Sequence, residues 1–224
     1  IMQGYVYAKA SRGLIGNKIK FSKISVGATE NLIIAASFAK GKTILKNCAI
    51  EPEIGDLINF LRKMGCNIKW SGKRTITIIG VKTLQETKYK IMFDRIEAGT
   101  YMIASALTAG NIKIINIIPK IIKTEIDILR KVGATIKIKS TELSIIGKKK
   151  INNIKLTTSP YPGFPTDLQA QLMVLLCKAF GRSEIIEKIF ENRFMHASEL
   201  NRMGAKIKIL ENKAIIEGNV NFKA

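Results

Sequence analysis

The sequence predicts an α/β fold built from repeated units, each with the element order helix, strand, helix, strand, strand. Two observations predict it. Three segments of the chain align with one another, and within each segment the spacing of apolar residues changes between helical and strand periods. The 224 residues are 46% hydrophobic, which is enough for a substantial buried core.

The repeat is clearest around the end of the second helix of each unit. There the segments LRKMGCNIK (61–69), LRKVGATIK (129–137) and LNRMGAKIK (200–208) align, and their glycines lie 68 and 71 residues apart. Two further sets of glycines recur at nearly the same step, one before a strand and one closing a strand. They are Gly41, Gly110 and Gly181, and Gly80, Gly147 and Gly218.

Helical spacing predicts the first helix of each copy over residues 29–39, 99–108 and 167–179, and the second over residues 54–64, 123–132 and 197–203. Most of these helices are expected to end near a glycine that can take a positive φ. The first helices are apolar on all sides, so we expect them to lie inside, covered by sheets. The polar join over residues 84–93 predicts two domains, 1–92 and 93–224.

The net charge of +20 invites a nucleic-acid hypothesis. However, residues 1–92 carry 16 basic and 5 acidic side chains and residues 93–224 carry 21 and 12, so the charge is spread along the chain. This distribution favours a solvated lysine-rich surface over a binding patch for nucleic acid. No apolar run reaches the length of a membrane span and no signal peptide is recognisable, so we expect a cytoplasmic protein.

The chain has three cysteines, widely spaced, and one histidine. Cys48, Cys66 and Cys177 form no CxxC pair, so they support neither a disulfide framework nor a zinc site, and we interpret them as core thiols. His196 precedes a predicted helix and is interpreted as structural. No metal or cofactor is therefore predicted.

The segment from residue 159 to residue 196 contains the most informative pairing of charges. Three prolines, at 160, 162 and 165, prevent a helix from beginning before Thr166 or Asp167. Asp167 would then face the positive end of a helix dipole, and Arg193 lies in a turn that could return to it. On local grounds alone, Asp167 or Thr166 could simply be an N-terminal cap.

The first helix of copy one opens on a cluster typical of an anion site. Lys23 supplies a positive charge, and Ser25 and Gly27 would expose backbone N–H groups at the helix start. The alternative is a Ser or Gly cap beside a surface lysine. At the corresponding position in copy two, the sequence DRIE (94–97) suggests a local ion pair.

Five motifs in this order resemble those of the UDP-N-acetylglucosamine 1-carboxyvinyltransferases, the family of enolpyruvyl transferases that begins peptidoglycan precursor synthesis. They are SKISVGATEN (22–31), EPEIGDLINFLRKMG (51–65), DRIEAGTYMIASAL (94–107), PYPGFPTDLQAQ (160–171) and FENRFMHASELNRMGA (190–205). The resemblance covers essentially the whole chain. It implies the enolpyruvyl transferase fold, with two inside-out α/β domains and an active site in the cleft between them. Residues 1–92 would be the C-terminal part of the first, UDP-sugar-side domain, and residues 93–224 two repeat units of the second.

The resemblance also implies roles for individual residues. Lys23, Ile24, Ser25 and Val26 match the motif that holds the UDP-sugar, and Gly27 continues the same helix start. Asp167 matches the carboxylate that contacts the sugar 3-hydroxyl and is the candidate general base. Ile189 matches a further contact with the nucleotide sugar, and Arg193 would lie near the cleft.

The substrates implied are UDP-N-acetylglucosamine and phosphoenolpyruvate. Members of the family also use a Lys-Asn pair, a mobile loop with a Cys or Asp as general acid, and arginines that bind phosphoenolpyruvate. None of these occurs in this chain, so we expect a fragment that is inactive alone and, when complete, a monomer that binds neither nucleic acid nor membrane.

Two alternatives remain open. An enzyme resembling the RNA 3′-terminal phosphate cyclases would fit the charge, although no histidine is available near the C-terminal end for its chemistry. A basic module that binds nucleic acid without catalysis is the other.

Overall fold

The computed structural model describes residues 4–223, which form two compact units. The first unit ends at Met92 and the second begins at Phe93. The first contains one copy of the repeat and the second contains two. Among the described residues, no helix is long and apolar enough to span a bilayer.

The first unit consists of two helices and one four-stranded sheet. Its elements are β1 (Lys18–Lys20), α1 (Val26–Ser37), β2 (Lys42–Lys46), α2 (Pro52–Lys63), β3 (Asn67–Gly72) and β4 (Thr75–Ile79). The strand order is β1-β2-β4-β3, with β1 parallel to β2 and the other pairs antiparallel. Ile33, Ile54 and Ile76 are fully buried in the core between the helices and the sheet.

The second unit contains four α-helices and two sheets. Copy two supplies α3 (Arg95–Leu107), β5 (Asn111–Ile115), α4 (Lys123–Val132), β6 (Thr135–Ile138) and β7 (Glu142–Ile146). Copy three supplies β8 (Lys155–Thr157), α5 (Gln169–Cys177), β9 (Arg182–Ile186), α6 (His196–Arg202), β10 (Lys206–Leu210) and β11 (Lys213–Glu217). Short 3₁₀ helices at Pro119–Ile122 and Thr166–Leu168 precede α4 and α5.

The predicted order of helix, strand, helix, strand, strand is present in all three copies. Copies one and three have a further strand before the first helix. This strand is β1 in copy one, where it pairs in parallel with β2, and β8 in copy three, where it pairs in parallel with β9. Neither strand was predicted, because three residues are too few to establish a period. The strand orders β1-β2-β4-β3 and β8-β9-β11-β10 are equivalent, and β5-β7-β6 matches their last three strands.

Four of the predicted helix starts were wrong by two to four residues: that of α2, which begins at Pro52 rather than at residue 54, and those of the three first helices. The helix α1 begins at Val26 because the Ser25 hydroxyl caps it, accepting the Ala28 N–H at 3.2 Å. Likewise α3 begins at Arg95, because the Asp94 carboxylate accepts the N–H groups of Ile96 and Glu97 at 2.7 and 3.1 Å. The third, α5, begins at Gln169, after a turn of 3₁₀ helix.

The second helix of each copy ends at a glycine with positive φ, as predicted. The φ angles are 99° at Gly65, 116° at Gly133 and 98° at Gly204, which a residue with a Cβ rarely adopts. In each copy the next residue donates its N–H to the carbonyl five residues back, as Cys66 does to Leu61 at 3.0 Å. The strand that follows is thereby turned back along the helix.

The glycine that closes the last strand of each copy meets a close backbone neighbour. A Cβ on Gly80 would lie 1.7 Å from the carbonyl oxygen of Ala39, just beyond the end of α1. The corresponding distances are 2.3 Å from Gly147 to Ser105 O and 1.8 Å from Gly218 to Ala179 O. Only glycine allows the sheet to approach the first helix this closely.

The first helices differ in how completely they are covered. In the second unit, α3 and α5 pack on each other, with β7 against α3 and both β9 and β11 against α5. Within α5, Leu172, Met173 and Leu176 are fully buried, as its apolar sequence predicted. In the first unit, Ile34 and Phe38 at the end of α1 remain 48% and 50% exposed.

The sheet of copy two has three strands rather than four. Within residues 4–223, β5 is paired with β7 only, whereas its counterparts β2 and β9 each have a second, parallel partner. An open cleft of about 490 Å³ lies beside this edge, lined by Glu97 and Tyr101 of α3 and by Ile112 and Ile114 of β5.

The close contact at Gly80 predicts opposite effects for two glycine substitutions in the same unit. Gly80→Ala forces a Cβ against backbone, so we expect it to lower the free energy of unfolding by about 1–3 kcal/mol. Gly55→Ala is the matched control. Gly55 lies inside α2 with no atom within 4 Å of an added Cβ, and the substitution should raise stability by about 0.5–1 kcal/mol. Urea denaturation measures both, and equal effects would contradict the contact.

Candidate substrate-binding residues in the two units

The predicted anion cluster lies between β1 and the first turn of α1. Ile24 and Val26 are partly buried against the core of the first unit, and the residues that alternate with them, Lys23, Ser25 and Gly27, are exposed. The alternation therefore directs the polar side chains and the glycine outward at the helix start.

The helix start in copy one combines a cap with two available amides. The Ser25 hydroxyl is occupied by the cap, as the local alternative predicted. The N–H groups of Val26 and Gly27 have no hydrogen-bond partner in the described chain, and an added Cβ on Gly27 would meet nothing within 4 Å. Two backbone donors at the positive end of a helix, with Lys23 nearby in the chain, suit a phosphate.

Thr29, which the sequence analysis did not single out, fixes this turn. It is fully buried; its hydroxyl donates to the Ser25 carbonyl at 2.7 Å and accepts the Ala49 N–H at 3.1 Å. The loop after β2 is thereby connected to the start of α1. Only its place four residues after Ser25 on the buried side of the helix could have indicated it.

In the second unit, Asp167 lies in the 3₁₀ turn Thr166–Leu168, which begins after Pro165 as the prolines require. The turn is docked on α3 through Leu168, which is fully buried. A Cβ on Gly99 of α3 would lie 2.4 Å from a methyl group of Leu168, so a larger residue there would force the Leu168 side chain to shift.

The structure brings Asp167 and Arg193 into direct contact. A guanidinium nitrogen of Arg193 donates to Asp167 Oδ1 at 2.6 Å, and Arg193 also lies over the Phe190 ring, 5.0 Å from its centroid. The Asp167 side chain is 53% exposed. An exposed pair of this kind contributes about 0–1 kcal/mol to stability, so a stabilising role does not account for it.

The local alternative, in which Asp167 or Thr166 is a helix cap, is wrong. No side chain caps the 3₁₀ turn or α5. The Asp167 carboxylate accepts from Arg193 instead, and the Thr166 hydroxyl donates to Glu187 at 2.7 Å. Tertiary contacts have taken both side chains away from the helix end.

Ile189 lies in the loop between β9 and α6, and its conformation depends on Glu187. The N–H of Ile189 donates to Glu187 Oε1 at 2.8 Å, and that of Phe190 donates to the same oxygen at 3.3 Å. Glu187 is only 2% exposed. Glu187 was not among the predicted site residues, although a carboxylate directly after the apolar pair Ile185 and Ile186 was a usable signal.

The DRIE segment of copy two forms no internal ion pair, contrary to the prediction. Asp94 caps α3, and the Arg95 guanidinium lies 3.9 Å from the Glu125 carboxylate of α4. Both side chains of that pair are buried. Burial of a charge requires such a partner, which explains why Arg95 turns inward.

The cysteines and the histidine are in structural positions. Cys48, Cys66 and Cys177 are free and buried, as predicted, and burial raises the pKa of Cys48 and of Cys177 to about 11. His196 begins α6 with its Nε2 buried and without a hydrogen-bond partner in the described chain. Burial, and then the positive charge of Arg193, lower the pKa of His196 below its ordinary value of 6.5.

Two solved enolpyruvyl transferases have this architecture. The enolpyruvyl transferase NikO from Streptomyces tendae superposes with a TM-score of 0.77 at 24% identity, covering 86% of this chain and 46% of that one. EPSP synthase from Acinetobacter baumannii gives a TM-score of 0.67 at 20% identity over 93% of this chain and 50% of that one. The fold is therefore the enolpyruvyl transferase fold, as predicted.

The whole chain, residues 1–224, matches the EPSP synthase (3-phosphoshikimate 1-carboxyvinyltransferase) family, and it belongs to that family. It is 69% identical over its full length to UDP-N-acetylglucosamine 1-carboxyvinyltransferase of Pelagibacter ubique, covering 54% of that protein. It is 50% identical over 218 residues to UDP-N-acetylglucosamine 1-carboxyvinyltransferase 1 of Caldanaerobacter subterraneus, covering 52%. The chain thus spans about half the length of the curated relatives it matches.

The position of Arg193 predicts the titration of His196. Because the folded pKa lies below 6.5, the stability that neutral His196 contributes is fully present above about pH 6.5. It is lost as the pH falls from there through the folded pKa. NMR titration of the single imidazole should give a pKa below 6.5, and Arg193→Gln should raise it part of the way, since burial is the larger cause. An unchanged pKa in that variant would contradict the effect of the Arg193 charge on His196.

Proposed function

We propose that this chain is part of an enzyme that transfers the enolpyruvyl group of phosphoenolpyruvate to the 3-hydroxyl of UDP-N-acetylglucosamine and releases phosphate. The 69% identity to a relative of that name supports the proposal. In this reading, residues 1–92 belong to the domain that binds the UDP-sugar and residues 93–224 are two repeat units of the other domain. The reaction is the first committed step of peptidoglycan precursor synthesis in the cytoplasm.

The proposal rests on the hydrogen bonding and exposure of the Asp167 carboxylate. Arg193 holds Oδ1, while Oδ2 has no hydrogen-bond partner in the described chain and the side chain is half exposed. A carboxylate that is oriented through one oxygen and accessible through the other can accept a proton from a bound hydroxyl group. Asp167 is therefore the general base of the proposed reaction, and Arg193 orients it.

The chemistry is an addition followed by an elimination. The sugar 3-hydroxyl loses its proton to Asp167 as its oxygen attacks C2 of the enolpyruvyl group, and C3 gains a proton from a general acid. The tetrahedral intermediate then returns a C3 proton to the conjugate base of that acid and expels phosphate, which restores the double bond. Holding the hydroxyl beside the base is the main contribution of the Asp167 turn.

In this proposal the start of α1 binds the nucleotide sugar. The amides of Val26 and Gly27 and the charge of Lys23 would receive the diphosphate, and Ile24 anchors the segment to the core. Ser25 contributes by capping the helix, which keeps the two amides oriented outward. Ile189 would be a further contact with the nucleotide sugar.

In this proposal none of the three cysteines is the general acid. Cys48 and Cys177 are buried with raised pKa values, Cys66 is buried as well, and none lies at an exposed helix start or loop. The acid and the arginines that bind phosphoenolpyruvate would come from the remainder of the enzyme.

We therefore expect the isolated 224 residues to release no phosphate from phosphoenolpyruvate in the presence of UDP-N-acetylglucosamine. A colorimetric phosphate assay checks this, with an intact relative as the positive control. Turnover by the isolated chain at a rate comparable to that control would refute the assignment of the acid to another segment.

In a complete form of the enzyme, Asp167→Asn should reduce kcat by at least about 100-fold, because general base catalysis contributes about 10²–10⁴-fold. The dissociation constant for UDP-N-acetylglucosamine should change much less, since Asn keeps the shape and one oxygen. Steady-state kinetics and calorimetric binding separate the two effects. Equal losses in turnover and in affinity would argue against a base.

A further inference from the structure

The carboxylate of Glu187 joins two segments that carry candidate site residues. Its Oε2 accepts the Thr166 hydroxyl at 2.7 Å, and Thr166 is adjacent to Asp167. Its Oε1 accepts the Ile189 and Phe190 N–H groups, at 2.8 and 3.3 Å, in the loop that leads to Arg193. The same oxygen accepts the Thr158 hydroxyl at 2.8 Å.

Comparison of the three copies shows that a carboxylate is not required here by the fold. In each copy one residue after the middle strand donates its N–H to the carbonyl just before the last strand. The three bonds are Cys48 N to Arg74 O, Ile117 N to Thr141 O and Glu187 N to Asn212 O, at 3.0, 3.1 and 2.8 Å. By strand register, however, Glu187 corresponds to Asn47 and Asn116, because Lys46, Ile115 and Ile186 are the equivalent strand ends. Copies one and two therefore carry a neutral side chain at this position, and copy three buries Glu187.

A buried carboxylate is more costly than a neutral side chain. Its desolvation must be offset by hydrogen bonds, and an apolar residue of similar size often gives equal or greater stability. Glu187 has four such bonds, and all of them lead to the turn beside Asp167, to the loop before Arg193 or to the end of β8. The network therefore serves the geometry of that region rather than the core.

We propose that Glu187 is a positioning residue, which holds the turn containing Asp167 and the loop containing Ile189 and Arg193 at a fixed separation. This role rests on the proposed function in so far as those three residues contact the nucleotide sugar. The bond between Arg193 and Asp167 is then a second connection between the same two segments. It is exposed, whereas the connection through Glu187 is buried. Without Glu187 the loop loses its anchor and the outer contact loses its alignment.

Two substitutions test this role. Glu187→Gln keeps the size of the side chain but replaces one acceptor oxygen with a donor. Thr166→Val removes only the hydroxyl that donates to Glu187, and Thr166→Ser restores it. Glu184→Gln is the matched control, because Glu184 lies on β9, the strand that ends just before Glu187, and pairs with Lys155 instead, 3.5 Å away.

The first measurement needs no substrate. Since the charge of Arg193 depresses the His196 titration, displacement of the loop should raise the midpoint of that titration in the 224-residue chain. We expect an upward shift in Glu187→Gln and Thr166→Val, and none in Thr166→Ser or Glu184→Gln. An unchanged midpoint in both test variants, with folding verified by circular dichroism, would overturn the positioning role.

The second measurement uses a complete form of the enzyme and UDP-N-acetylglucosamine. We expect Glu187→Gln and Thr166→Val each to weaken binding of the sugar about tenfold, since a lost bond to a charged group has that order of effect, and Thr166→Ser to recover most of it. Undiminished affinity in both would also overturn the role. If the unsubstituted enzyme fails to bind the sugar while the histidine shift is observed, the proposed function fails and the positioning role stands.

Discussion

The approach of one glycine to the end of one helix determines the geometry of each repeat. Gly80, Gly147 and Gly218 lie so close to a backbone carbonyl that a Cβ could not fit, and each also donates its N–H to the carbonyl of the glycine before the middle strand. The last strand, the middle strand and the first helix are thereby fixed together. Every copy inherits the same direction for its first helix, and so the same location for the residues at that helix start.

On this common frame the three copies differ mainly at the start of the first helix. Copy one presents a capped turn with outward amides, copy two an aspartate cap, and copy three a 3₁₀ turn whose aspartate contacts an arginine. The same architectural position has therefore acquired three different chemistries. The buried Glu187 belongs to this divergence, since it occurs only where the neighbouring turn carries Asp167.

Much of the fold could be predicted from the sequence, because the repeat is marked by regularly spaced glycines and by the spacing of apolar residues. The order of elements and the helix ends at Gly65, Gly133 and Gly204 follow from those signals. The helix starts were predicted less accurately, because Ser25 and Asp94 cap α1 and α3 before the helical spacing of apolar residues begins. The contact between Asp167 and Arg193 could be anticipated. The bonds of Glu187 to Thr166 and of Thr29 to Ala49 could not, because those partners are distant in sequence.

The three-stranded sheet of copy two bears on how this chain behaves when produced by itself. The outer side of β5 presents backbone N–H and C=O groups that no strand among residues 4–223 covers, next to the apolar side chains Ile112 and Ile114. Such an edge is a template for intermolecular pairing. Its lysine, Lys113, is held by Glu142 of the neighbouring strand at 2.7 Å and offers limited protection. Self-association through this edge would set an upper limit on the concentration at which the isolated chain can be studied.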